Sequence, residues 1–367
     1  MQAQTSPSER GPDPDVVAGV GVQVVDRVAD LTGFRDRELL EVTLVTALRD
    51  LLLSRRVAIY HPVGEAGVQR WSTRASLRDD DAAPTADPLW AEADELPALE
   101  SRPWAVDCMR DGRPLMLYDR SPALCVFPLT TDRDVVGVIE IEPRGRLSDE
   151  QLRLVSSILR IYKNFHALLD YGERDTLTGL LNRKTFDESF LRCCARMAGA
   201  AKAAASPDAD QGRRRQVQAG AWLGVIDIDH FKSVNDTHGH LIGDEVLLLL
   251  ARLMRSSFRF HDQLYRFGGE EFVVLMMAGE PAHAASALER MRLNVEQYAF
   301  PRVGRITVSI GLTAVRTDDT PAAAFGRADA AVYHAKQHGR NQVVDHDALW
   351  GLGRADKTAA GDDVELF

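Results

Sequence analysis

The feature that most restricts the fold of this sequence is a pair of glycines, at positions 268–269, between two short apolar segments. The flanking segments, 264–267 and 272–276, have strand-like composition, so the glycines predict the turn of a β-hairpin. Glycine accepts the positive φ that such a turn needs and lets a ligand approach the backbone. Glu270 and Glu271 follow the turn, and acids this close repel each other unless a cation lies between them. Taken alone, the pattern also fits an ordinary polar hairpin.

Composition excludes several classes of protein. The chain has 367 residues, enough for two domains, with 45% hydrophobic and 27% charged residues, as in ordinary globular proteins. A net charge of −10 argues against a dedicated nucleic-acid binder, which usually has a basic face. No stretch approaches the roughly 20 apolar residues of a membrane-spanning helix, and the amino terminus lacks the pattern of a signal peptide. We therefore expect a cytoplasmic protein without a membrane span and without a nucleic-acid partner.

The four cysteines have no metal-ligand spacing, and two of them, Cys193 and Cys194, are adjacent, which disfavours a disulfide between them. Reduced thiols are expected throughout. Cys108 and Cys125 could indicate redox or chromophore chemistry, but a free cysteine is more often a small buried hydrophobe, and we favour that interpretation.

Changes in composition and periodicity divide the chain into five segments. The first half shows helices, strands, a helix, more strands and then a long helix, an order typical of an α+β sensor domain. Helices are predicted at 16–31, 36–53 and 104–111, strands at 57–60, 70–74, 114–117, 123–128 and 135–141, and loops at 77–99 and 199–220. The five segments are a disordered amino terminus (1–15), a sensor domain (16–148), a long helix (149–172), a second domain (173–347) and a tail (348–367).

The long helix begins with a predicted capping box, because Ser148 and Gln151 have the required spacing. Two apolar stripes follow at heptad-like spacing. One could pack on the sensor sheet and the other on a second copy of the helix, or the helix could be buried in its own domain alone. The stripes are 154, 158, 161, 165 and 168, and 152, 155, 159 and 162.

Residues 17–165 resemble a GAF domain, on the segments 125–129, 136–141 and 147–150. GAF domains bind small ligands, or serve only as dimerisation and relay modules. The sequence names no ligand, so both roles stay open.

In the second half, the apolar strand 222–226 ends in Asp227 and Asp229. Open α/β sheets place ligand chemistry at the carboxyl ends of their strands. The two acids alone could equally cap a loop.

Residues 173–345 resemble a GGDEF domain. The resemblance rests on four separated motifs, at 175–183, 227–236, 268–272 and 328–341. This is the domain of diguanylate cyclases, which condense two GTP into cyclic di-GMP and release pyrophosphate. The resemblance implies a nucleotide-cyclase-like α/β fold with a central, mostly antiparallel sheet, joined by the long helix to the GAF-like domain. Glu270 stands where the family name has Asp, which keeps the carboxylate.

The resemblance also implies roles for individual residues. A homodimer is expected, with Mg²⁺ (Mn²⁺ as the alternative) at two ions per half-site. For metal, the implied ligands are Asp227, the carbonyl of Ile228 and Glu270, with Glu271 assisting. The implied catalytic residues are Glu270, Glu271, Asp227 and Lys232, with Glu270 as general base, and the division of roles between Glu270 and Glu271 stays open. The resemblance also implies Lys232, Lys336 and Arg340 for the triphosphate, Phe231, Gly268 and Gly269 lining the substrate, and Asn235 and Asp244 for guanine.

Two of these assignments have simpler alternatives. Lys336 and Arg340 are four apart on a predicted helix and would share one face, but cations near a helix end are often solvated or compensate the helix dipole. The Asp244 carboxylate can accept from guanine N1–H and N2–H₂ together, which favours GTP over ATP. Asp244 could instead cap a helix that begins at Glu245.

An Arg-x-x-Asp motif, Arg259 and Asp262, matches the family's inhibitory product site, and Arg290 matches a second arginine of that site. Arginine suits bidentate phosphate and guanine contacts. The alternative is a surface ion pair. The resemblance favours an active cyclase inhibited by its product; a non-catalytic cyclic di-GMP receptor and a GAF-based signalling scaffold remain as alternatives.

Overall fold

The chain divides into two compact units, Met1–Asp170 and Tyr171–Phe367. The computed structural model describes residues 26–27, 29–32, 37–64, 67–87, 95–131, 134–204, 220–278 and 280–351. Within those ranges, no helix combines the length and apolarity needed to cross a membrane.

The first unit is built on a five-stranded antiparallel sheet of order β2-β1-β5-β4-β3. The last helix, α3, begins in this unit and ends just past its boundary. The elements are α1 (Arg37–Leu52), β1 (Arg56–Val63), β2 (Arg70–Arg78), a 3-10 turn (Leu99–Ser101), α2 (Pro103–Asp111), β3 (Leu115–Leu117), β4 (Leu124–Thr130), β5 (Val135–Glu142) and α3 (Asp149–Glu173).

Each face of this sheet has its own hydrophobic core. Leu44 of α1 and Tyr162 of α3 pack with Ile139 on one face. On the other face, Trp71 and Cys108 belong to a second cluster, which includes side chains of α2. Burial raises the pKa of the Cys108 thiol to about 12, so this cysteine is a protonated, buried side chain at neutral pH.

The capping box of α3 is confirmed. The Ser148 N–H donates to Gln151 Oε1 at 3.0 Å, and the Gln151 N–H donates to Ser148 Oγ at 3.2 Å. Most members of both predicted apolar stripes are buried in, or packed against, the hydrophobic core of the first unit, whereas Leu168 is 68% exposed. A helix of 3.6 residues per turn drifts away from a heptad stripe, and a buried histidine is invisible to a count of apolar residues. The buried residues are Val155, Ile158, Tyr162, His166 and Leu169.

Two predicted loops are shorter than expected. Strand β2 continues through Leu77 to Arg78, and the segment 199–220 begins as helix, since α4 runs to Ala204. Residues 88–94 and 205–219 lie outside the described residues. So do the predicted disordered terminus (1–15), most of the helix predicted at 16–31 and residues 352–367 of the tail.

The second unit contains a six-stranded sheet of order β11-β10-β7-β9-β8-β6. The central pairings are antiparallel, and only the edge strands β6 and β11 pair parallel, so the expected, mostly antiparallel sheet is confirmed. The elements are β6 (Leu181–Asn182), α4 (Arg183–Ala204), β7 (Gly220–Ile228), α5 (Phe231–His238), α6 (His240–Ser257), β8 (Gln263–Gly268), β9 (Glu271–Ala278), α7 (Pro281–Gln297), β10 (Val308–Val315), α8 (Pro321–Gln337), β11 (Val343–Asp345) and α9 (His346–Trp350).

Helix α8 packs unusually close to the sheet at Gly311 of β10. A Cβ atom there would lie 2.0 Å from the carbonyl oxygen of Ala328, so only glycine allows this approach. The close packing carries the carboxyl-terminal turn of α8, with Lys336, to the end of β7.

Candidate active site

The predicted hairpin is present, formed by β8 and β9. Gly268 has a φ of 142° and Gly269 a φ of 51°, both in the region that favours glycine. In the register of β7 and β9, Asp227 lies directly opposite Glu271. The turn therefore brings Glu270 and Glu271 to the end of β7, where Asp227 lies.

Arg266 fixes this turn from the side. Its Nη2 donates to the carbonyl of Gly269 at 2.8 Å, and its Nη1 lies 3.1 Å from Asp175 Oδ1. Asp175 Oδ1 also accepts from the Thr178 N–H at 2.8 Å. The first of the four sequence motifs thus supports the glycine turn, a role that the sequence did not indicate.

The pKa values of the carboxyl groups at the site are raised. Burial raises the pKa of Asp227, against the opposing effect of Lys336, whose Nζ lies 2.8 Å from Asp227 Oδ1. Burial and then the charge of Asp227 raise the pKa of both Glu270 and Glu271. Several carboxyl groups therefore share a region whose negative charge is only partly compensated.

The donor set suits a hard divalent cation, because the Asp227, Glu270 and Glu271 carboxylates and the Ile228 carbonyl all offer oxygen. However, across the part of the chain that the structure describes, no three acidic, histidine or cysteine side chains stand close enough to hold an ion. Lys336 takes the position next to Asp227 instead.

Helix α5 begins directly after β7 and places Lys232, which is exposed, in its first turn. Phe231 departs from expectation, because its side chain is 5% exposed and belongs to the hydrophobic core. Only the main chain of Phe231 can therefore contact a substrate.

The two predicted guanine-binding residues lie on neighbouring helices. A Cβ atom at Gly243 would lie 2.0 Å from Asn235 Oδ1, so the Asn235 amide lies against the backbone of α6. Asp244 is exposed and four residues beyond the start of α6 at His240. The capping alternative for Asp244 is thus wrong, because the helix begins before it and its N-cap position is Gly239.

Arg340 is not on the same helix as Lys336. Helix α8 ends at Gln337, and Arg340 follows with a φ of 62°, its N–H donating to the Ala335 carbonyl at 2.9 Å. The prediction that the two cations share one helix face is wrong, because Gly339, with a φ of 107°, follows the helix end and leads into a turn.

Two acids near the site, Asp229 and Asp329, have roles that the sequence did not indicate. Asp229 is 5% exposed and accepts from Thr307 Oγ1 and Ser309 Oγ, both at 2.7 Å. The charge of Asp329 on α8 helps raise the pKa of Asp227 and Glu271, and Lys336 acts in the opposite direction on all three. The seven-residue separation of Asp329 and Lys336, two helical turns, is a signal that could have found this acid.

The predicted inhibitory residues meet at the carboxyl end of α6. The Arg259 N–H donates to Asp262 Oδ2 at 2.9 Å, and the Asp262 N–H donates to the Arg259 carbonyl at 3.0 Å. Burial raises the pKa of Asp262, against the backbone hydrogen bond from Arg259. Arg290 of α7 donates through Nε to the Ser257 carbonyl at 3.2 Å. Asp262 thus stabilises the turn through these hydrogen bonds, and Arg290 is hydrogen-bonded to the adjacent end of α6.

Comparison with known families identifies this part of the molecule. Residues 207–342 match the model of the family described as "Diguanylate cyclase, GGDEF domain". This region is a GGDEF domain. The match includes the GGDEF turn at 268–271, the end of β7 and the carboxyl-terminal turn of α8.

Several curated proteins are similar to part of this chain. Diguanylate cyclase DgcP of Pseudomonas aeruginosa is 36% identical over 211 residues, which are 56% of this chain and 29% of that protein. Diguanylate cyclase DgcZ of Escherichia coli is 35% identical over 198 residues, 53% of this chain and 60% of that protein. Response regulator PleD of Caulobacter vibrioides is 48% identical over 126 residues, 33% of this chain and 28% of that protein. The chain therefore spans less than two thirds of each of these relatives.

Among solved structures, the GGDEF domain of DgcB from Caulobacter crescentus in complex with c-di-GMP is similar, at 32% identity. The match covers 48% of this chain and 94% of that chain, with a TM-score of 0.41.

Proposed function

We propose that this chain is a diguanylate cyclase, which joins two GTP into cyclic di-GMP and releases pyrophosphate. The observation that carries the proposal is the placement of Asp227 opposite Glu271 across β7 and β9, with Lys336 against Asp227. A GGDEF turn with both carboxylates, next to a third carboxylate, is what a site for a divalent cation and a triphosphate requires.

The carboxylates Asp227, Glu270 and Glu271 and the Ile228 carbonyl would hold Mg²⁺, or Mn²⁺ as the alternative, at two ions per half-site. Bound there, the metal neutralises charge on the reacting phosphates. Its positive charge would offset the burial and the mutual repulsion that raise the pKa of the Glu270 and Glu271 carboxyls.

The reaction forms two bonds, each from the 3′-oxygen of one GTP to the α-phosphorus of the other. Each step breaks the bond from that α-phosphorus to pyrophosphate, so two pyrophosphates leave. Glu270, which lies in the glycine turn next to the end of β7, is assigned to accept the proton of the 3′-hydroxyl. Lys232 and Arg340 supply positive charge for the triphosphate, and the first N–H groups of α5 add a partial positive charge. Lys336 would exchange Asp227 for a phosphate oxygen when metal binds.

Base selection is assigned to Asn235 and Asp244. Asn235 lies within α5 and Asp244 near the start of α6, and Asp244 is exposed, with its carboxylate available to guanine N1–H and N2–H₂. A mismatched base would leave buried polar groups unpaired, which disfavours ATP.

Each half-site holds one GTP, so catalysis needs two copies face to face, and a homodimer is part of the proposal. The first unit, with its five-stranded antiparallel sheet, would serve as a GAF-like sensor that controls how two GGDEF domains meet. Product inhibition would act through Arg259, Asp262 and Arg290 at the carboxyl end of α6.

The test is turnover by the purified full chain. With GTP and Mg²⁺, wild-type protein should form cyclic di-GMP and pyrophosphate, whereas Glu270→Gln should lower the rate at least about 100-fold because it removes the base. Glu280→Gln, an exposed change at the start of α7, is the control and should leave the rate unchanged. Absence of cyclic di-GMP at every protein concentration, together with retained binding of cyclic di-GMP, would instead identify a non-catalytic receptor.

A further inference from the structure

The turn that carries Arg340 has an unusual backbone. Arg340 has a φ of 62° and Asn341 a φ of 47°, so two consecutive residues other than glycine adopt the left-handed conformation. Each such residue costs free energy, and the conformation persists only where surrounding contacts impose it. The surroundings of Asn341 show which contacts these are.

The side-chain amide of Asn341 is held on both its atoms by helix α7. Arg292 Nη1 donates to Asn341 Oδ1 at 2.8 Å, and Asn341 Nδ2 donates to Glu296 Oε1 at 2.8 Å. The main chain is held from the opposite direction, because the Asn341 N–H donates to Asp229 Oδ2 at 3.1 Å. Three elements of the fold therefore meet at one asparagine.

The three groups that hold Asn341 are themselves fixed. The Arg292 side chain is 11% exposed, and its guanidinium also pairs with Glu289 at 2.7 Å and with Glu296 at 3.0 Å. Hydrogen bonds from Asn341 and then Arg292 lower the pKa of Glu296, so its carboxylate is ionised at neutral pH. Asp229 is anchored to β10 and to the segment before it by hydroxyl groups. The contacts around Asn341 therefore form a rigid clamp.

We propose that Asp229, Arg292 and Glu296 act through Asn341 as positioning residues that hold Arg340 toward the triphosphate. The inference rests on the proposed function, in which Arg340 binds phosphate. A long arginine side chain in a flexible turn loses conformational entropy when it binds a ligand, and a backbone fixed beforehand reduces that loss. The clamp therefore strengthens phosphate binding without contacting the nucleotide.

If the contacts around Asn341 only stabilised the domain, removing them would change ligand affinity in a way that does not depend on the phosphates of the ligand. The two roles are separated by comparing two ligands that the enzyme cannot turn over. 3′-Deoxy-GTP lacks the attacking hydroxyl but keeps the triphosphate, and GMP keeps the base and sugar without the two outer phosphates. Only the positioning role predicts a loss of affinity confined to the triphosphate.

The first variant is Asn341→Gly in the full chain, since glycine accepts the backbone conformation and removes the amide. Calorimetric titration in the presence of Mg²⁺ should show about tenfold weaker binding of 3′-deoxy-GTP, or about 1.4 kcal/mol, with the affinity for GMP unchanged. Combining it with Arg340→Asn, a side chain that tolerates the left-handed conformation, should give no further loss beyond Arg340→Asn alone.

A second pair of variants leaves the backbone of the turn unaltered. Glu296→Ala removes the contact to Asn341 and should weaken 3′-deoxy-GTP binding in the same selective way. Gln297→Ala is the matched control on the same helix, because Gln297 is exposed and is not one of the clamp residues, and it should change affinity less than about twofold.

Three results would overturn the inference: equal weakening of GMP, a further loss in the Arg340→Asn background, or unchanged affinity in both Asn341→Gly and Glu296→Ala. Failure of the proposed function has a separate signature. Wild-type protein would then bind 3′-deoxy-GTP no better than GMP, which would also remove the basis of the positioning role.

Discussion

At the scale of single residues, the site is defined by carboxylates that the fold forces together. Glu271 lies opposite Asp227 in the strand register, and burial and this neighbour's charge raise its pKa. Their proximity was predictable from the pattern of strand ends and hairpin. The pairing of Lys336 with Asp227 was not, because it depends on how close α8 lies to the sheet at Gly311.

This arrangement predicts a pH-dependent stability effect. A carboxyl whose pKa is raised by folding contributes stability below its unfolded pKa, about 4.3 for Glu, and loses it as pH rises through the folded pKa. In EDTA at pH 7.5, Glu271→Gln should therefore raise the Tm by about 2 °C, and the gain should disappear near pH 4. Thermal unfolding followed across this pH range checks the prediction; a lower Tm for the variant at pH 7.5 would contradict it.

Asp319→Asn is a control for which we expect a change in Tm of the opposite sign. Burial alone would raise the pKa of Asp319, but hydrogen bonds from Arg327, at 2.6 Å, outweigh it and lower the pKa. Its ionised form therefore favours folding above an unfolded pKa of about 3.9. Asp319→Asn should lower the Tm at pH 7.5, with a loss that shrinks as the pH falls toward the lowered pKa.

At the scale of elements, local signals were predictive where local chemistry decides the structure. The glycine pair produced the hairpin, and Ser148 with Gln151 produced the capping box of α3. Apolar periodicity also located most of the buried face of α3, but it did not predict the burial of His166, because that depends on the surface against which the helix packs. The end of α8 at Gln337 likewise moved Arg340 out of the helix and into a turn.

The turn between α6 and β8 contains Arg259 and Asp262 of the proposed inhibitory site, and a variant of this turn tests product inhibition. Arg259→Ala keeps the backbone N–H that donates to Asp262, so the turn should persist while the guanidinium is lost. We expect the inhibition constant of cyclic di-GMP to rise about tenfold, since charge-assisted contacts to phosphate contribute roughly 1.5–3 kcal/mol. Initial rates at increasing product concentration measure this effect.

The control for this variant is Arg252→Ala, an exposed change on the same helix, which should leave inhibition as in the wild type. Uninhibited rates should be equal in all three proteins. Wild-type inhibition in Arg259→Ala would show that the Arg-x-x-Asp turn is not the product site.

At the scale of the whole molecule, the chain consists of two units, each with its own sheet and core, divided after Asp170. Two local hydrogen bonds fix the start of the second unit. Asn182 Nδ2 donates to the Gly172 carbonyl at 2.8 Å, and Thr185 Oγ1 donates to the Glu173 carbonyl at 3.0 Å. A truncated protein that begins at Tyr171 still includes the four residues that make these contacts.

Under the proposed function, removing residues 1–170 should change the concentration dependence of cyclase activity, because the first unit would no longer influence how two GGDEF domains meet. We expect the specific activity to depend more steeply on protein concentration in the truncated protein. Rates measured across a wide range of protein concentration test this. Coincident curves for the full and truncated chains would exclude control by the first unit.

The sequence by itself determined the hairpin, the capping box and the acids at the end of β7, because each depends on neighbours within a few positions. The GGDEF motifs also indicated the mostly antiparallel sheet of the second unit. Only the tertiary structure decided that Phe231 is buried, that Lys336 pairs with Asp227 and that Asn341 is clamped by α7 and Asp229. These contacts join residues far apart in the chain, and their geometry follows from how closely helices and strands pack, which no local pattern encodes.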